Sequence, residues 1–429
     1  MVRFLRREWI LLAVLAIAVL MRFDDLTHTR YMGDMVAFNI PWTQTIQQSG
    51  LLHVYAASSD IDYPPIFLTI LGINSVLMAP IQSGNPSDIF IILTKLFSVL
   101  AELATIGIVY VWLPRDTRLK WIIPLALALS PGLIATTAFW GQTDSILTLF
   151  LVLSIVTLNR NQPRASWIWF SVAMLMKFQA IVLLPMLGIL SIRRFGIRST
   201  FVGILLAGVI FGVVLAPFII SSGTANALRP FTGATNRYPV VTVNAFNLWY
   251  LVIPPLWGLL PTYPSLIPLD TNVLLANLSI RQISLLLFAG YVLWIVIVMW
   301  RQYAVKREFL WAAALYMGFF MLPTQMHERY LYPAVVFSLV AIAQEKRVWP
   351  IVAILALTYT INIVIVATVD YYWFGLDLKS LLGGIGLLAG VLNLLCLGGI
   401  TLFVMRSKPQ KLDSPLNPND AVLVKNQST

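Results

Sequence analysis

Charged side chains are scarce in this 429-residue chain, making up only 11% of it. Hydrophobic residues make up 59%, and the mean hydropathy is +0.83, far from the soluble balance of roughly half apolar and a quarter charged. This composition excludes an ordinary water-soluble domain. It predicts an integral membrane protein, because apolar runs of about 20 residues cross a bilayer as helices that satisfy their own backbone hydrogen bonds.

The sequence also contains only one cysteine and no Walker nucleotide-binding motif. The single cysteine, Cys396, lies in an apolar run. An intramolecular disulfide is therefore excluded, and we interpret the thiol as a small core residue. The sequence has no Gly-rich Walker motif ending in Lys-Ser/Thr, which argues against an ATP-driven pump.

Positive charge exceeds negative charge by 11, but its distribution argues against a nucleic-acid partner. Most Lys and Arg residues stand in short clusters between apolar runs, which is the pattern of cytoplasmic loops. The clusters are Arg3/Arg6/Arg7, Arg115/Arg118/Lys120, Arg160/Arg164, Arg193/Arg194/Arg198, Arg301/Lys306/Arg307, Lys346/Arg347 and Arg406/Lys408/Lys411/Lys425.

All of these clusters face the cytoplasm if the apolar stretch 64–80 lies along the outer surface as an interfacial helix. Counting 64–80 as a span would turn every later cluster outward. The sequence thus predicts an all-α membrane protein of about twelve transmembrane helices, with both termini in the cytoplasm. The predicted spans are 9–21, 89–113, 121–138, 144–158, 165–176, 178–192, 200–220, 281–300, 309–323, 330–343, 350–369 and 381–405.

Residues 1–405 are interpreted as one membrane domain, with two long outer segments at 22–88 and 221–280. The apolar part of the second segment is interrupted by two prolines, so we expect it to be interfacial or re-entrant. The polar residues 406–429 are predicted to be a disordered cytoplasmic tail. The chemistry of the protein is therefore expected on its outer face.

Carboxylates gather in the first outer segment. Asp62 precedes Tyr63 and two prolines, which stiffen the backbone and suit a precisely held functional carboxylate. The alternative is a polar turn that opens the interfacial helix. Asp34 follows Gly33 and precedes a helical pattern, so it is either functional or a helix N-cap. Asp60 and Asp62 together also allow a metal-binding pair for Mg²⁺ or Mn²⁺.

Other ionisable and aromatic residues stand at the outer ends of the predicted spans. Lys177 separates two short spans and is expected to face a wet cavity, the alternative being that it snorkels to the outer headgroups. Asp144 either caps its helix or functions, and Trp140 fits an aromatic belt as well as a site. His327 stands in a short outer loop of three consecutive ionisable residues. Anchoring at the membrane interface explains Arg329 and the nearby tyrosines better than it explains His327, which is expected to be functional.

These motifs resemble the membrane glycosyltransferases of the GT-C fold. The residues that carry the resemblance are Gly33-Asp34 with Trp42, Asp62-Tyr63-Pro64-Pro65, Lys177-Phe178-Gln179 and Met326-His327-Glu328-Arg329. The likeness is strongest to the hexosyltransferases of N-glycan assembly that use lipid-phosphate sugars, and to their prokaryotic mannosyltransferase relatives.

The resemblance implies an inverting transfer of a hexose, most simply mannose or glucose, from a polyprenyl- or dolichyl-phosphate donor to a lipid-linked glycan or other extracytoplasmic acceptor. It implies Asp62 as the base, with His327 nearby, and no metal cofactor. The location it implies is a prokaryotic plasma membrane. The chain lacks the C-terminal soluble domain of oligosaccharyltransferase catalytic subunits, which argues against transfer to asparagine.

A sugar transfer from a lipid phosphate requires one general base and several cations. A phosphate leaving group is stable as an anion, so no general acid is needed, in contrast to the two carboxylates of glycoside hydrolysis. Positive side chains would stabilise the phosphate charge. The candidate phosphate-binding residues are Lys177, Arg229, Arg237 and Arg329, and the candidate substrate contacts are Tyr63, Trp140, Gln142, Asp144 and Glu328.

Two other function classes fit the hydropathy. A polytopic transporter or a lipid-linked sugar flippase also has many spans and broken helices, but it needs ionisable groups near the bilayer midplane. Here they gather in the outer loops. A non-catalytic scaffold is the third class, and it leaves the acidic first segment unexplained.

Overall fold

The computed structural model describes residues 2–27, 33–77, 88–114, 117–233, 238–257, 269–369 and 378–406. Most of this part is helical. The α-helices are α1 (Val2–Thr27), α2 (Ile40–Ser49), α3 (Val54–Ala57), α4 (Pro65–Leu77), α5 (Asp88–Trp112), α6 (Leu119–Leu129), α7 (Pro131–Ile134), α8 (Asp144–Asn159), α9 (Pro163–Met176), α10 (Leu184–Ser222), α11 (Thr224–Thr232), α12 (Leu248–Trp257), α13 (Ile280–Gln302), α14 (Glu308–Met321), α15 (Tyr332–Ala341), α16 (Trp349–Val369) and α17 (Leu378–Met405).

Short elements complete the described structure. Two π-helical turns, Met35–Asn39 and Ala135–Phe139, adjoin α2 and α7. The 3-10 helices are Leu51–His53, Phe178–Leu183, Glu328–Leu331 and Lys346–Val348, and a small antiparallel hairpin pairs β1 (Val273–Leu275) with β2 (Leu278–Ser279). Residues 407–429 of the predicted tail lie outside the described residues.

The all-α, multi-pass membrane class predicted from the composition is confirmed. Five helical elements of the described chain are long and apolar enough to cross a bilayer, and a sixth qualifies if the pair α6 and 131–139, bent by 50°, is one span. The five are Asp88–Trp112, Phe178–Ser222, Ile280–Gln302, Lys346–Ala367 and Gly384–Met405. The other predicted spans also coincide with helices, but twelve crossings stay a prediction.

Helices α14 and α15 form the centre of the bundle, since every residue of α15 and nearly every residue of α14 is buried. Small side chains allow this close packing. A Cβ atom at Gly318 would lie only 2.4 Å from the ring of Tyr291 on α13. Around this centre, Arg22 on α1 and Glu102 on α5 form a buried ion pair of 2.7 Å.

Helix breaks occur at the places where the sequence weakens a helix. Pro131 follows the end of α6, and Gly196 interrupts α10 with φ of 80°, a conformation that glycine adopts without steric cost. The predicted break at Lys177 is confirmed, because α9 ends at Met176 and Lys177 is extended. Of these breaks, the one at Lys177 lines a cavity.

The described part of the first outer segment, 33–77, is packed onto the bundle. Trp42, Tyr55 and Phe67 lie in one buried apolar cluster with Phe218 of α10. Helix α4, the predicted interfacial helix, has mostly buried side chains. The second outer segment joins the loop before α15 through bridges between His327 and both Val243 and Asn244.

Candidate active site

A cavity of about 250 Å³ lies where several stretches of chain meet. They include residues 34–42, the Asp-Tyr-Pro-Pro motif, residues 141–143, the break at Lys177, the first turns of α13 and the loop between α14 and α15. Predicted site residues on its wall are Asp34, Asp62, Tyr63, Gln142, Lys177, His327 and Arg329. Residues far apart in the sequence thus share one chamber.

Asp62 lies on a loop whose backbone is held in place by hydrogen bonds from neighbouring side chains. The hydroxyl of Tyr55 donates a hydrogen bond of 2.8 Å to the carbonyl of Tyr63, and Arg229 donates to the carbonyls of Tyr55 and Ser58. Pro64 stiffens the backbone and Pro65 begins α4, so the loop is fixed on both sides. Asp62 is half-buried and lines the cavity.

The structure corrects the role predicted for Arg229. Its guanidinium is committed to backbone carbonyls of residues 55 and 58 and does not line the cavity. Arg229 therefore shapes the Asp62 loop instead of binding a donor phosphate. Arg237, the other arginine predicted from this outer segment, lies outside the described residues.

Asp34 is not a helix cap, so that alternative is wrong. Its side chain makes no capping hydrogen bond at the start of the π-helical turn. Instead, Oδ2 accepts hydrogen bonds from Trp140 Nε1 at 3.1 Å and from Gln142 Nε2. The same oxygen lies 3.7 Å from Arg329 Nη1. Trp140 and Gln142, predicted as substrate contacts, therefore hold Asp34, and only Gln142 also lines the cavity.

Lys177 and Asp144 form a buried pair at the inner wall, with 2.9 Å between Nζ and Oδ1. The rings of Tyr63 and Tyr330 flank the ammonium group at 5.7 and 5.0 Å. Lys177 lines the cavity, as predicted, and does not snorkel. Asp144 lies behind it and neither caps α8 nor reaches the cavity wall.

His327 is held edge-on between Tyr238 and Tyr330, with ring centroids 5.0 and 5.1 Å away. Burial, together with the charges of Arg329 and Lys177, holds the pKa of His327 well below its ordinary value. The ring is therefore neutral at pH 7. Its Nε2 has no hydrogen-bond partner among the described residues, although the side chain is only 6% exposed. This ring nitrogen at the cavity wall is therefore available to hydrogen-bond a ligand.

Glu328 and Arg329 complete the loop. Arg329 Nη1 lies 3.1 Å from Glu328 Oε1, and burial raises the pKa of Glu328 while Arg329 opposes the shift. Glu328 pairs with Arg329 and is not among the residues that line the cavity, so its substrate contact stays a prediction. Arg329 lies between two carboxylates, Asp34 and Glu328, and its Nε has no partner in the described structure.

The sequence interpretation missed a further ion pair at the cavity, between Arg281 and Asp270. Arg281 lines the cavity and donates to both oxygens of Asp270 at 2.9 and 2.7 Å. Asp270 is fully buried and also accepts hydrogen bonds from Thr324 and Gln325, just before His327. One signal was available, because Asp270 is the only acidic residue in the sequence from 221 to 280.

The cavity is thus lined by carboxylate, cationic and neutral imidazole groups against an apolar wall that includes Phe67, Phe288 and Phe319. Such a chamber suits a ligand that is part sugar or phosphate and part hydrocarbon. Within the described ranges, no three His, Cys, Asp or Glu residues converge in a way that could hold a metal ion. Asp60, the second member of the possible metal pair, is solvent-exposed.

Together the fold and the cavity define an all-α, multi-pass membrane protein with a polar chamber between its helices and loops. No protein-family model matches the chain, and no curated protein matches it significantly.

Proposed function

We propose that the chain is an inverting glycosyltransferase of the GT-C type. It moves a hexose, mannose or glucose, from a polyprenyl-phosphate donor to a lipid-linked glycan or another extracytoplasmic acceptor. The observation that carries the proposal is the shared cavity, because Asp62, Lys177 and Arg329 reach it from three separate parts of the chain. The general base and the phosphate-binding cations must lie close together, because they act on the same donor sugar and its phosphate.

In the proposed reaction Asp62 accepts the proton of the acceptor hydroxyl. The hydroxyl oxygen bonds to the anomeric carbon from the face opposite the phosphate, and the bond from that carbon to the phosphate oxygen breaks. Its electron pair stays on the phosphate, which leaves as an anion and needs no general acid. The configuration at the anomeric carbon is inverted.

Arg329 and Lys177 are the proposed phosphate-binding residues. Arg329 offers a planar fork that matches phosphate oxygens, and its Nε is unpaired among the described residues. Lys177 offers a second positive charge beside the rings of Tyr63 and Tyr330. Charges fixed before the reaction stabilise the leaving phosphate without reorganisation. Asp34, held by Trp140 and Gln142, is the reserve candidate for the base.

His327 is proposed to contact a sugar hydroxyl or the donor phosphate. A neutral imidazole both donates and accepts hydrogen bonds, and its unpaired Nε2 has no described protein partner to compete with the ligand. The cavity of about 250 Å³ lies below the roughly 300–1,000 Å³ of drug-sized pockets. This size favours one sugar ring with its phosphate over a long glycan.

The proposed topology has twelve spans, cytoplasmic termini and the cavity on the extracytoplasmic side of a prokaryotic plasma membrane. The basic clusters of the sequence support this orientation. The donor chain would lie in the bilayer, and its sugar would enter beside the apolar wall. The proposed reaction needs no metal cofactor, since Lys177 and Arg329 line the cavity where the donor phosphate would bind.

A transporter or lipid-linked sugar flippase is the alternative function. The buried pair Arg22 and Glu102 between α1 and α5 resembles the intramembrane charges of carriers. However, Glu102 accepts two bonds from Arg22 and one from Thr137, while Arg22 also donates to the carbonyls of Ala18 and Ala128. Because both side chains have several hydrogen-bond partners, the pair is better explained as a structural contact that holds the helices together than as a transport site for ions.

The test is sugar transfer in vitro from a panel of polyprenyl-phosphate hexoses, with wild type compared to Asp62→Asn. Loss of a general base costs about 10²–10⁴-fold in rate, so we expect turnover to fall by that amount while donor binding is retained. Asp60→Asn is the matched control, because it is the same change on an exposed neighbour. It should leave turnover unchanged.

Two outcomes contradict the proposal. Intact turnover in Asp62→Asn would remove Asp62 from the base role and leave Asp34 as the next candidate. Translocation of the lipid-linked sugar across vesicles without any transfer would support the carrier function instead. In the same assay, turnover should persist with a chelator; loss that Mg²⁺ or Mn²⁺ restores would establish a metal requirement.

A further inference from the structure

A second cavity, of about 670 Å³, is an open apolar groove between α6 and α16 on the outside of the bundle. Its volume lies within the roughly 300–1,000 Å³ of small-molecule sites. Leu119, Ile122 and Ala126 line one wall, and Val352 and Ala356 line the other. It is separate from the candidate active site, since the two cavities share no lining residue.

The groove has one closed end. At the end of α6 the chain bends by 50° into 131–139, and Gly132 donates a hydrogen bond of 3.1 Å to Thr360 of α16. Ser130, Pro131 and Thr360 thus form the closed end. A ligand must therefore have its head at the opposite end, beside Leu119 and Lys346.

The open end carries positive charge and exposed tryptophan. Lys346 lines the groove there and is solvent-exposed. Trp121 and Trp349, in the first turns of α6 and α16, are 42% and 61% exposed. Exposed tryptophans of membrane proteins lie at the level of the lipid headgroups. The neighbouring carboxylate of Glu345 is paired with Arg307 at 2.9 Å, so it does not cancel the charge of Lys346.

The length of the groove matches one leaflet of the bilayer. The eleven residues of α6 rise about 16 Å at 1.5 Å per residue. Half of the roughly 30 Å hydrocarbon core is about 15 Å. An acyl chain that starts at the headgroup level therefore ends where the groove closes.

We propose that this groove binds one anionic phospholipid of the bilayer, with the headgroup phosphate at Lys346 and an acyl chain between α6 and α16. The apolar walls select a hydrocarbon chain, and the lysine at the open end selects a negative headgroup over a zwitterionic one. The site is independent of the sugar-transfer reaction proposed for the other cavity.

The test is lipid binding to the delipidated full-length protein in detergent, measured by native mass spectrometry. Phosphatidylglycerol should bind at one molecule per chain, more tightly than phosphatidylcholine. Lys346→Gln should lower its affinity about fivefold, the effect of one basic residue at a lipid surface. Lys306→Gln, an exposed lysine outside the groove, is the matched control and should have no effect.

A second variant tests the groove itself. Ala353 is exposed on the groove wall, so Ala353→Trp should fill it and abolish the bound lipid. The same change at Ala289, exposed on α13 outside the groove, should not. The proposal would be overturned if phosphatidylglycerol and phosphatidylcholine bound equally well. It would also be overturned if Lys306→Gln lowered the phosphatidylglycerol affinity as much as Lys346→Gln, or if Ala353→Trp still bound the lipid. Displacement of phosphatidylglycerol by stoichiometric polyprenyl phosphate would also overturn it, in favour of the carrier lipid.

Discussion

At the scale of single residues, the charges around the cavity are arranged in pairs whose members depend on each other. Asp144 has no solvent exposure, and Lys177 is its charged partner. Asp34 is held by Trp140 and lies near Arg329. Removing one member of such a pair leaves a buried charge without compensation, which is costly in an apolar surrounding.

We therefore expect Lys177→Met to destabilise the protein by about 3–5 kcal/mol, the usual effect of breaking a buried pair. Asp144→Asn in the same chain should recover most of this stability, because no uncompensated charge remains. Turnover should stay low in the double variant, since the cation at the cavity is still missing. Thermal unfolding in detergent and the transfer assay measure the two effects; recovery of both would contradict the phosphate-binding role.

The neutral state of His327 predicts a dependence of stability on pH. Its pKa is lowered in the folded protein, so the unfolded chain binds the proton more tightly. The stabilising contribution is complete above the ordinary pKa of about 6.5 and is lost as the pH falls toward the folded value.

His327→Gln removes this ionisation while keeping a hydrogen-bonding side chain. We expect the melting temperature of wild type to fall more steeply than that of the variant between pH 7 and pH 5. His53 is solvent-exposed, so His53→Gln should keep the wild-type slope. Identical slopes for wild type and His327→Gln would show that His327 is not held neutral.

At the scale of elements, the loop between α14 and α15 is where the two long outer segments meet the bundle. Val243 pairs with His327 through the backbone, and Asp270 binds Thr324 and Gln325. Gln325 has φ of 64°, an uncommon conformation for a side chain other than glycine. The second outer segment therefore holds the conformation of the His327 loop.

Asp270→Asn tests this connection. The change leaves Arg281 without its carboxylate partner and weakens the bonds to residues 324 and 325, so the loop should loosen. A misplacement of about 1 Å costs up to roughly 10²-fold in rate, and we expect a loss of that order in turnover. Hydrogen exchange should rise in 238–245 and 324–331. Asp88→Asn, an exposed carboxylate at the start of α5, should change neither.

At the scale of the whole molecule, the proposal depends on which side of the membrane the cavity faces. The single cysteine makes this testable, since Cys396 is only 2% exposed and a Cys396→Ala background carries no thiol. In that background, Asp60→Cys and Lys306→Cys place one exposed thiol each on the predicted outer and cytoplasmic faces.

A membrane-impermeant thiol reagent should label residue 60 in intact cells and residue 306 only after lysis. We expect this because basic clusters of membrane proteins lie in cytoplasmic loops, and residue 306 belongs to such a cluster. Labelling of residue 306 in intact cells would invert the topology. The candidate active site would then face the cytoplasm, and an extracytoplasmic transfer reaction would be excluded.

The sequence by itself determined the class of the protein and several of its landmarks. Apolar runs and scarce charge predict membrane helices because the bilayer core has no water to satisfy a polar backbone. Local chemistry was also visible: Lys177 breaks a helix, and the second of the two prolines after Tyr63 begins one. These features act within a few residues, so a single stretch of sequence contains the information.

Only the tertiary structure decided which polar residues act together. Arg229 and Arg329 look alike in the sequence, yet the first holds backbone carbonyls and the second lines the cavity. Asp34 fits a helix cap by its spacing but binds a tryptophan 106 residues away. Asp270 and Arg281 form their pair where the second outer segment folds back on the bundle. Such partners are selected by long-range packing and by the cost of burying an unpaired charge, and neither is contained in local sequence pattern.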